Sequence, residues 1–152
     1  MSFVAILMGS DSDRDVVSKA EAVLAEFGVT FETNVISAHR KPEALAAYVK
    51  DADARGAAVY ICAAGMAAAL PGVVAAQTPR PVIGVPIANS NAVGGGLDAL
   101  LAIVQMPPRV PVATVAINGA QNAGLLAVQI MATADVALAK KYAEFKRKLA
   151  EA

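Results

Sequence analysis

The chain has one cysteine, one histidine and no tryptophan in 152 residues, and its thirteen basic and thirteen acidic side chains cancel. Each scarcity excludes something. A single thiol, Cys62, can form no intrachain disulfide and no multi-cysteine zinc or iron–sulfur centre, which is consistent with a reducing compartment. Zero net charge and a pI near 6.6 leave no global field to draw in nucleic acid or an anionic membrane surface, so neither is an expected partner. The start, MSFVAILMGSDSD, has no basic region and meets acidic residues after one short apolar run. It reads as a first strand rather than an export signal, and the cytoplasm is the expected location.

Charge is sparse, at 17% against 57% hydrophobic residues, and residues 56–79 and 110–134 carry none. A membrane-spanning helix wants about 20 predominantly apolar residues without a turn signal in the middle. The first stretch is broken by Gly65, Pro71 and Gly72, the second by Asn118-Gly119 and Gln121-Asn122. Both therefore read as buried strands and alanine-rich helices, with surplus apolar surface to be covered by other subunits.

What the chain does have is alternation. Short β-branched runs at 3–8, 30–36, 58–63, 82–86 and 111–117 are separated by helical patterns, as in a parallel sheet covered on both faces. Val16, Val17, Ala20, Val23, Leu24 and Phe27 fall at helical spacing, and Gly28 ends that helix. A second helix follows Pro42 with Leu45, Tyr48, Val49 and Ala52 inward, and a third is expected from near Met66. LDALLAIVQM is a helix stopped by Pro107-Pro108, and NGAQNAGLLAVQIMA is another. The last, at about 135–150, puts Leu138, Tyr142, Phe145 and Leu149 on one face and a solvated lysine-rich surface on the other. With no repeat and no boundary, residues 1–152 are expected to form one α/β domain. Its expected form is a three-layer, flavodoxin-like (Rossmann-like) fold with five parallel strands and a C-terminal helix.

Ligands of such sheets bind beyond the carboxyl ends of the strands, where strand order reverses. Three loops should meet there: GSDSD, SAHRKP and AAGMAAALPG. In the first, Ser10, Asp11, Ser12 and Asp13 can cap a helix, but two carboxylates would repel a phosphate held against them. An acceptor for sugar hydroxyls beside a serine and helix N–H groups for an anion would answer both demands, which a ribose phosphate makes. No G-x-G-x-x-G and no Walker-type lysine is present. His39, the only histidine, is either an acid–base group or an ordinary polar loop residue, and Arg40 beside it either grips a phosphate or joins a surface ion pair. Residues 63–69 carry only small side chains and one methionine, so backbone N–H groups there can approach a ligand; close helix–sheet packing explains them equally well. Cys62 reads as a small buried hydrophobe. The uncharged loop 88–96, ANSNAVGGG, is a candidate lid.

Six blocks in order, MGSDSD, ISAHRKPE, AAGMAAALPGVVAA, PVIGVPI, LDALLAIVQMP and VPVATVAINGAQNAGLLA, resemble the PurE family of purine biosynthesis across essentially the whole chain. The resemblance implies a flavodoxin-like homo-octamer, an isomerase converting N5-carboxyaminoimidazole ribonucleotide to 4-carboxy-5-aminoimidazole ribonucleotide. Because a protonated N-carboxylate loses CO2 readily and the freed ring carbon is electron-rich, neither a metal nor an organic cofactor is expected. It implies His39 as the catalytic histidine, and phosphate and ribose contacts from Ser10, Asp13, Ser37 and Arg40. Gly9, Ser12, Ala38, Ala64, Gly65, Ala67 and Leu70 would line the same pocket.

Two positions depart from the family pattern. Ala69 stands where many bacterial mutases of the family carry a histidine, and Arg109 stands where a glycine is common. The second branch of the family, AIR carboxylases acting on free CO2, carries a third loop resembling AGRSNAL, which is absent here, as is the second histidine. The remaining blocks favour the mutase, and direct carboxylation is the nearest alternative. A non-catalytic flavodoxin-like nucleotide-binding module is the alternative of another class. A phosphoacceptor receiver would want a phosphorylatable aspartate after the third strand, where Ala63-Ala64-Gly65 stands. A PurE-like carboxylase of nickel-pincer cofactor synthesis shares the AGM and ALP elements but is expected to carry an extra N-terminal region.

Overall fold

A computed structural model describes residues 1–152. Five strands, β1 (Phe3–Met8), β2 (Phe31–Val35), β3 (Ala57–Gly65), β4 (Val82–Ile87) and β5 (Ala113–Thr114), form one all-parallel sheet in the order β2-β1-β3-β4-β5. Six helices cover it: α1 (Arg14–Phe27), α2 (Pro42–Arg55), α3 (Leu70–Ala75), α4 (Leu97–Val104), α5 (Ala120–Ala132) and α6 (Val136–Glu151). The result is a three-layer, flavodoxin-like fold. No helix is long and apolar enough to cross a membrane.

Strand alternation sorts the core into two halves. Val4, Ile6 and Met8 of β1, with Val59 and Ile61 of β3, face α1 and α5; Ala5, Leu7, Tyr60 and Cys62 face α2, α3 and α4. Both faces of β1, β3 and β4 are covered, which is why these strands are apolar runs rather than alternating ones. Gly84 allows α4 to lie close on β4, since a Cβ there would sit 2.3 Å from the Cγ2 of the fully buried Ile103. On edge strand β2, Glu32 takes a two-pronged bond from Arg55 (2.7 and 2.9 Å) and another from Tyr48 (2.6 Å). Arg55 thereby holds the Glu32 carboxyl below its ordinary value. This fastens the C-terminal half of α2 to the start of β2, the two elements that flank the loop carrying His39.

The elements differ from the sequence-based expectations in three places. The fifth strand pairs only at Ala113 and Thr114, against Ile83 and Gly84, instead of over 111–117. Pro111 has no N–H to contribute, and beyond Thr114 the chain keeps only isolated bonds to the edge, from Val115 to Gly84 and from Asn118 to Pro86. The third helix starts at Leu70 rather than near Met66, because Met66 and Ala68 take positive φ values of 52° and 31° to turn the chain off the sheet edge. In α6, Leu138, Tyr142 and Phe145 pack, the two rings 5.7 and 5.6 Å from Phe27, whereas Leu149 runs past the body and stays exposed. Arg109 sits at φ 77°, a left-handed conformation costing a side-chain-bearing residue about 1–2 kcal/mol. That explains why glycine suits the position; no carboxylate pairs with its guanidinium.

Gly84→Ala is expected to cost about 1–3 kcal/mol, since Ile103 is β-branched and enclosed and α4 must lift from the sheet to admit the methyl group. Urea denaturation checks this; an unchanged midpoint would mean that the α4–β4 contact yields freely.

Candidate active site

Four segments converge at the carboxyl edge of the sheet around an open cleft of about 140 Å³. The turn after β1 contributes Gly9, Ser10 and Asp13, and the loop after β2 contributes Ser37, Ala38, His39 and Arg40. The opposite wall is Ala64, Gly65, Met66, Ala68, Ala69 and Leu70 from the end of β3 to the start of α3, and Asn89 after β4 closes one end. A larger hollow of about 690 Å³ lies at the other edge of the sheet, but its only charged side chains are Arg80 and Asp135. Chemistry-bearing groups are gathered in the first.

The two aspartates of GSDSD separate. Asp11 lies on the surface in an ion pair with Arg14 at 2.9 Å, whereas Asp13 is 4% exposed and is the one charged residue buried in the chain. Burial raises the Asp13 carboxyl above its ordinary value, and a hydrogen bond from the Ser10 backbone partly offsets this. A 3₁₀ turn over Asp11–Asp13 places it there, capped by Ser10, whose Oγ accepts from the Ser12 N–H (3.3 Å) and the Ser12 hydroxyl (2.9 Å). With both acceptor sites so engaged, the Ser10 proton is free to donate into the cleft. Ser12, expected on the wall, is not among the residues that line the cleft, and its hydroxyl donates to Ser10.

The His39 loop is held by its own serine. Ser37 Oγ accepts from the Arg40 N–H at 3.3 Å, and the Ser37 carbonyl accepts from Lys41 at 2.9 Å. This tight turn projects the exposed His39 and Arg40 side chains over the cleft. Arg40 has no carboxylate partner in the chain, so the surface ion pair that could have explained it is absent. In the loop across the cleft, the N–H groups of Met66, Ala67 and Ala69 find no acceptor within the protein. Ala67 itself does not line the cleft. Cys62 is fully buried, its thiol pushed far up by burial, and takes no part. No three His, Cys, Asp or Glu side chains come together as a set of metal ligands.

Sequence reasoning missed Met66 and Ala68, which line the cleft through unusual backbone conformations, and Asn89, which no local pattern marks. The register that sets Ile87 beside Gly65 carries Asn89 over the end of β3. Of loop 88–96, only Asn89 reaches the cleft. The rest is tied back by bonds from Ala88 to the Asn118 side chain (2.9 Å) and from Val93 to Asp98 (3.1 Å), around three glycines at positive φ.

A doubly wound parallel sheet whose switch-point cleft gathers a buried carboxylate, a free arginine and a histidine defines a class of small-molecule enzymes. The chain belongs to the AIR carboxylase family, whose model matches residues 3–152. It is 55% identical over 149 residues to an N5-carboxyaminoimidazole ribonucleotide mutase of Pyrococcus abyssi, covering 98% of this chain and 80% of that one. It is 52% identical over 148 residues to the phosphoribosylaminoimidazole carboxylase of Saccharomyces cerevisiae, covering 97% of this chain but 26% of that protein. The crystal structure of Treponema denticola PurE superposes with a TM-score of 0.88 at 30% identity, covering 99% of this chain and 93% of that one.

Asp13 makes a prediction about stability. Its folded-state pKa lies above the unfolded one, so its charge opposes folding: its favourable contribution is complete below the unfolded value of about 3.8 and is lost as pH rises through the folded value. Asp13→Asn should therefore raise the thermal midpoint at pH 7 more than at pH 3. An equal change at both would show that burial does not penalise the charge.

Proposed function

We propose that this protein is an isomerase that interconverts N5-carboxyaminoimidazole ribonucleotide and 4-carboxy-5-aminoimidazole ribonucleotide in purine biosynthesis. The observation that carries the reading is the convergence of His39 and Arg40 with Ser10 and Asp13 in one cleft, in a chain more than half identical to a named mutase over nearly its full length. The relative named carboxylase matches over only a quarter of its own length, so its name describes a mostly different protein.

In this reading Arg40, Ser10 and Ser37 hold the 5-phosphate, and Asp13 accepts from a ribose hydroxyl. A buried carboxylate gains most from such a bond, because the hydroxyl replaces part of the water it lost. Gly9, Ala38, Ala64, Gly65 and Leu70 supply close backbone approach and apolar wall. His39 gives a proton to the exocyclic nitrogen that bears the carboxylate; the N–C bond breaks, CO2 leaves, and the nitrogen keeps the electron pair as an amine. The electron-rich ring carbon then attacks CO2, and His39 removes the proton from that carbon, regaining its initial state. One imidazole serves both halves, and no other reactant is consumed. The wall at Ala64–Leu70 keeps CO2 beside the ring between the two steps.

A homo-octamer, the assembly suggested by the family resemblance, would cover the exposed stripe Leu97, Leu101 and Val104 on α4 together with Val93; the first three are 46–48% exposed and Val93 is 70%. A cytoplasmic location accords with the single buried thiol and the pathway.

His39→Asn should lower kcat by about 10²–10⁴-fold with ribonucleotide affinity largely kept, measured by product absorbance and by titration. Near-normal turnover would remove the acid–base role. Arg40→Ala should weaken ribonucleotide binding about 10- to 100-fold. Conversion of the N-carboxylated substrate without bicarbonate identifies a mutase, and a requirement for bicarbonate would indicate the carboxylase instead. Light scattering should give about eight times the 15.4 kDa chain mass, and a monomer would contradict the assembly.

A further inference from the structure

We infer that Asn89 is the group that grips the migrating carboxyl, an assignment that rests on the mutase reading. Its carboxamide is oriented. Oδ1 accepts from the Asn91 N–H at 2.9 Å, and the Asn89 backbone carbonyl accepts from Ala92 at 3.0 Å, so the first turn of the loop holds the side chain by its oxygen. The amide nitrogen therefore points the other way, towards Gly65. It lies 2.8 Å from where a Cβ on Gly65 would be, and the glycine's missing side chain is what gives it room. Neither of its two N–H bonds meets an acceptor within the chain, although the residue is half-buried and lines the cleft.

The rest of that wall offers no other polar side chain: alanines, Gly65, Met66 and Leu70 complete it. Arg40, Ser10, Ser37, Asp13 and His39 stand on the facing side, where the sugar phosphate and the proton transfers occupy them. The carboxyl group must travel from nitrogen to ring carbon as CO2 and be met at the start and end as an anion. A cation there would stabilise both carboxylates far more than neutral CO2 and so deepen the wells on either side of the barrier. A neutral carboxamide donates to an oxygen of all three species with much less bias. It lines the same cleft as Met66 and Ala69, whose backbone N–H groups have no acceptor within the chain. This assigns a donor to the cleft in a chain that has Ala69, and no ring, on the same wall.

Two variants separate the donor from the loop. Asn89→Ser keeps a short oxygen able to accept from the Asn91 N–H while removing the NH2 group; Asn89→Asp keeps Oδ1 itself and replaces the donors with a negative charge. We expect Asn89→Ser to lower kcat/KM about 10- to 100-fold and to weaken binding of the 4-carboxy ribonucleotide by a similar factor, with Asn89→Asp worse in both. Affinity of Asn89→Ser for aminoimidazole ribonucleotide, which has no carboxyl group, should stay within twofold. With carboxyl-labelled substrate, a larger share of label should escape as CO2. Equal losses for the carboxylated and decarboxylated ribonucleotides, or kcat/KM within twofold of the parent, would overturn the assignment. Should the unaltered protein fail to turn over either carboxylated ribonucleotide, the mutase reading falls. The binding comparison then still decides whether Asn89 recognises a carboxylate.

Discussion

The structure depends on the order of a parallel sheet. β1 lies between β2 and β3, so the chain leaving β1 enters α1 on one face, while the chain leaving β3 enters α3 on the other. Two adjacent strands thus send their loops in opposite directions, and a gap opens between them at the carboxyl edge. Right-handed crossovers through short helices leave a buried apolar sheet few other ways to be covered on both sides. The cleft is a consequence of that packing, and the loops that border it are free to carry chemistry because the strands beneath supply the stability.

The cleft is economical in charge. One carboxylate is buried, one guanidinium is left without a partner, and much of the remaining hydrogen-bonding capacity is backbone N–H or carboxamide. Charge kept for the ligand is charge withheld from the fold: Asp13 opposes folding through its desolvation, and Met66 and Ala68 occupy backbone conformations that side-chain-bearing residues seldom take. Gly65 and Asn89 show the same division. A methyl group at 65 would close the space into which the amide nitrogen projects, so a residue with no side chain and a residue with two spare donors act as one feature.

Much of this was legible from residue patterns. Apolar runs bounded by glycine and proline located four of the five strands to within two residues. In the helix stripes, Val17, Ala20, Val23, Leu24 and Phe27, and Leu45, Val49 and Ala52, are buried as their spacing requires, with Val16 and Tyr48 half-buried beside them. The fifth strand was not legible in its extent, because a run of valines beside Pro111 has the same local appearance whether or not its neighbour's edge is long enough to pair with it. The start of α3 was hidden likewise, since alanine favours helices and gives no sign that tertiary position will force it to positive φ. Ser12 and Ala67 belong to loops that border the cleft but are not among the residues lining it, a distinction local spacing does not make. Asn89 sits in a polar, glycine-rich segment where any of several residues could have faced inward.

The sequence by itself determined the strand–helix alternation, the two-sided burial of the sheet and the presence of His39, Arg40 and Asp13 in loops at one edge. These follow from period and from turn chemistry, both local properties of the chain. Only the tertiary structure decided which carboxylate of GSDSD is buried and which lies in a surface ion pair. It alone decided that Arg40 has no partner, and that Asn89, 24 positions beyond Gly65, stands against it. Those outcomes are set by the register of β3 against β4 and by the desolvation that packing imposes, and neither is encoded in any stretch short enough to be read alone.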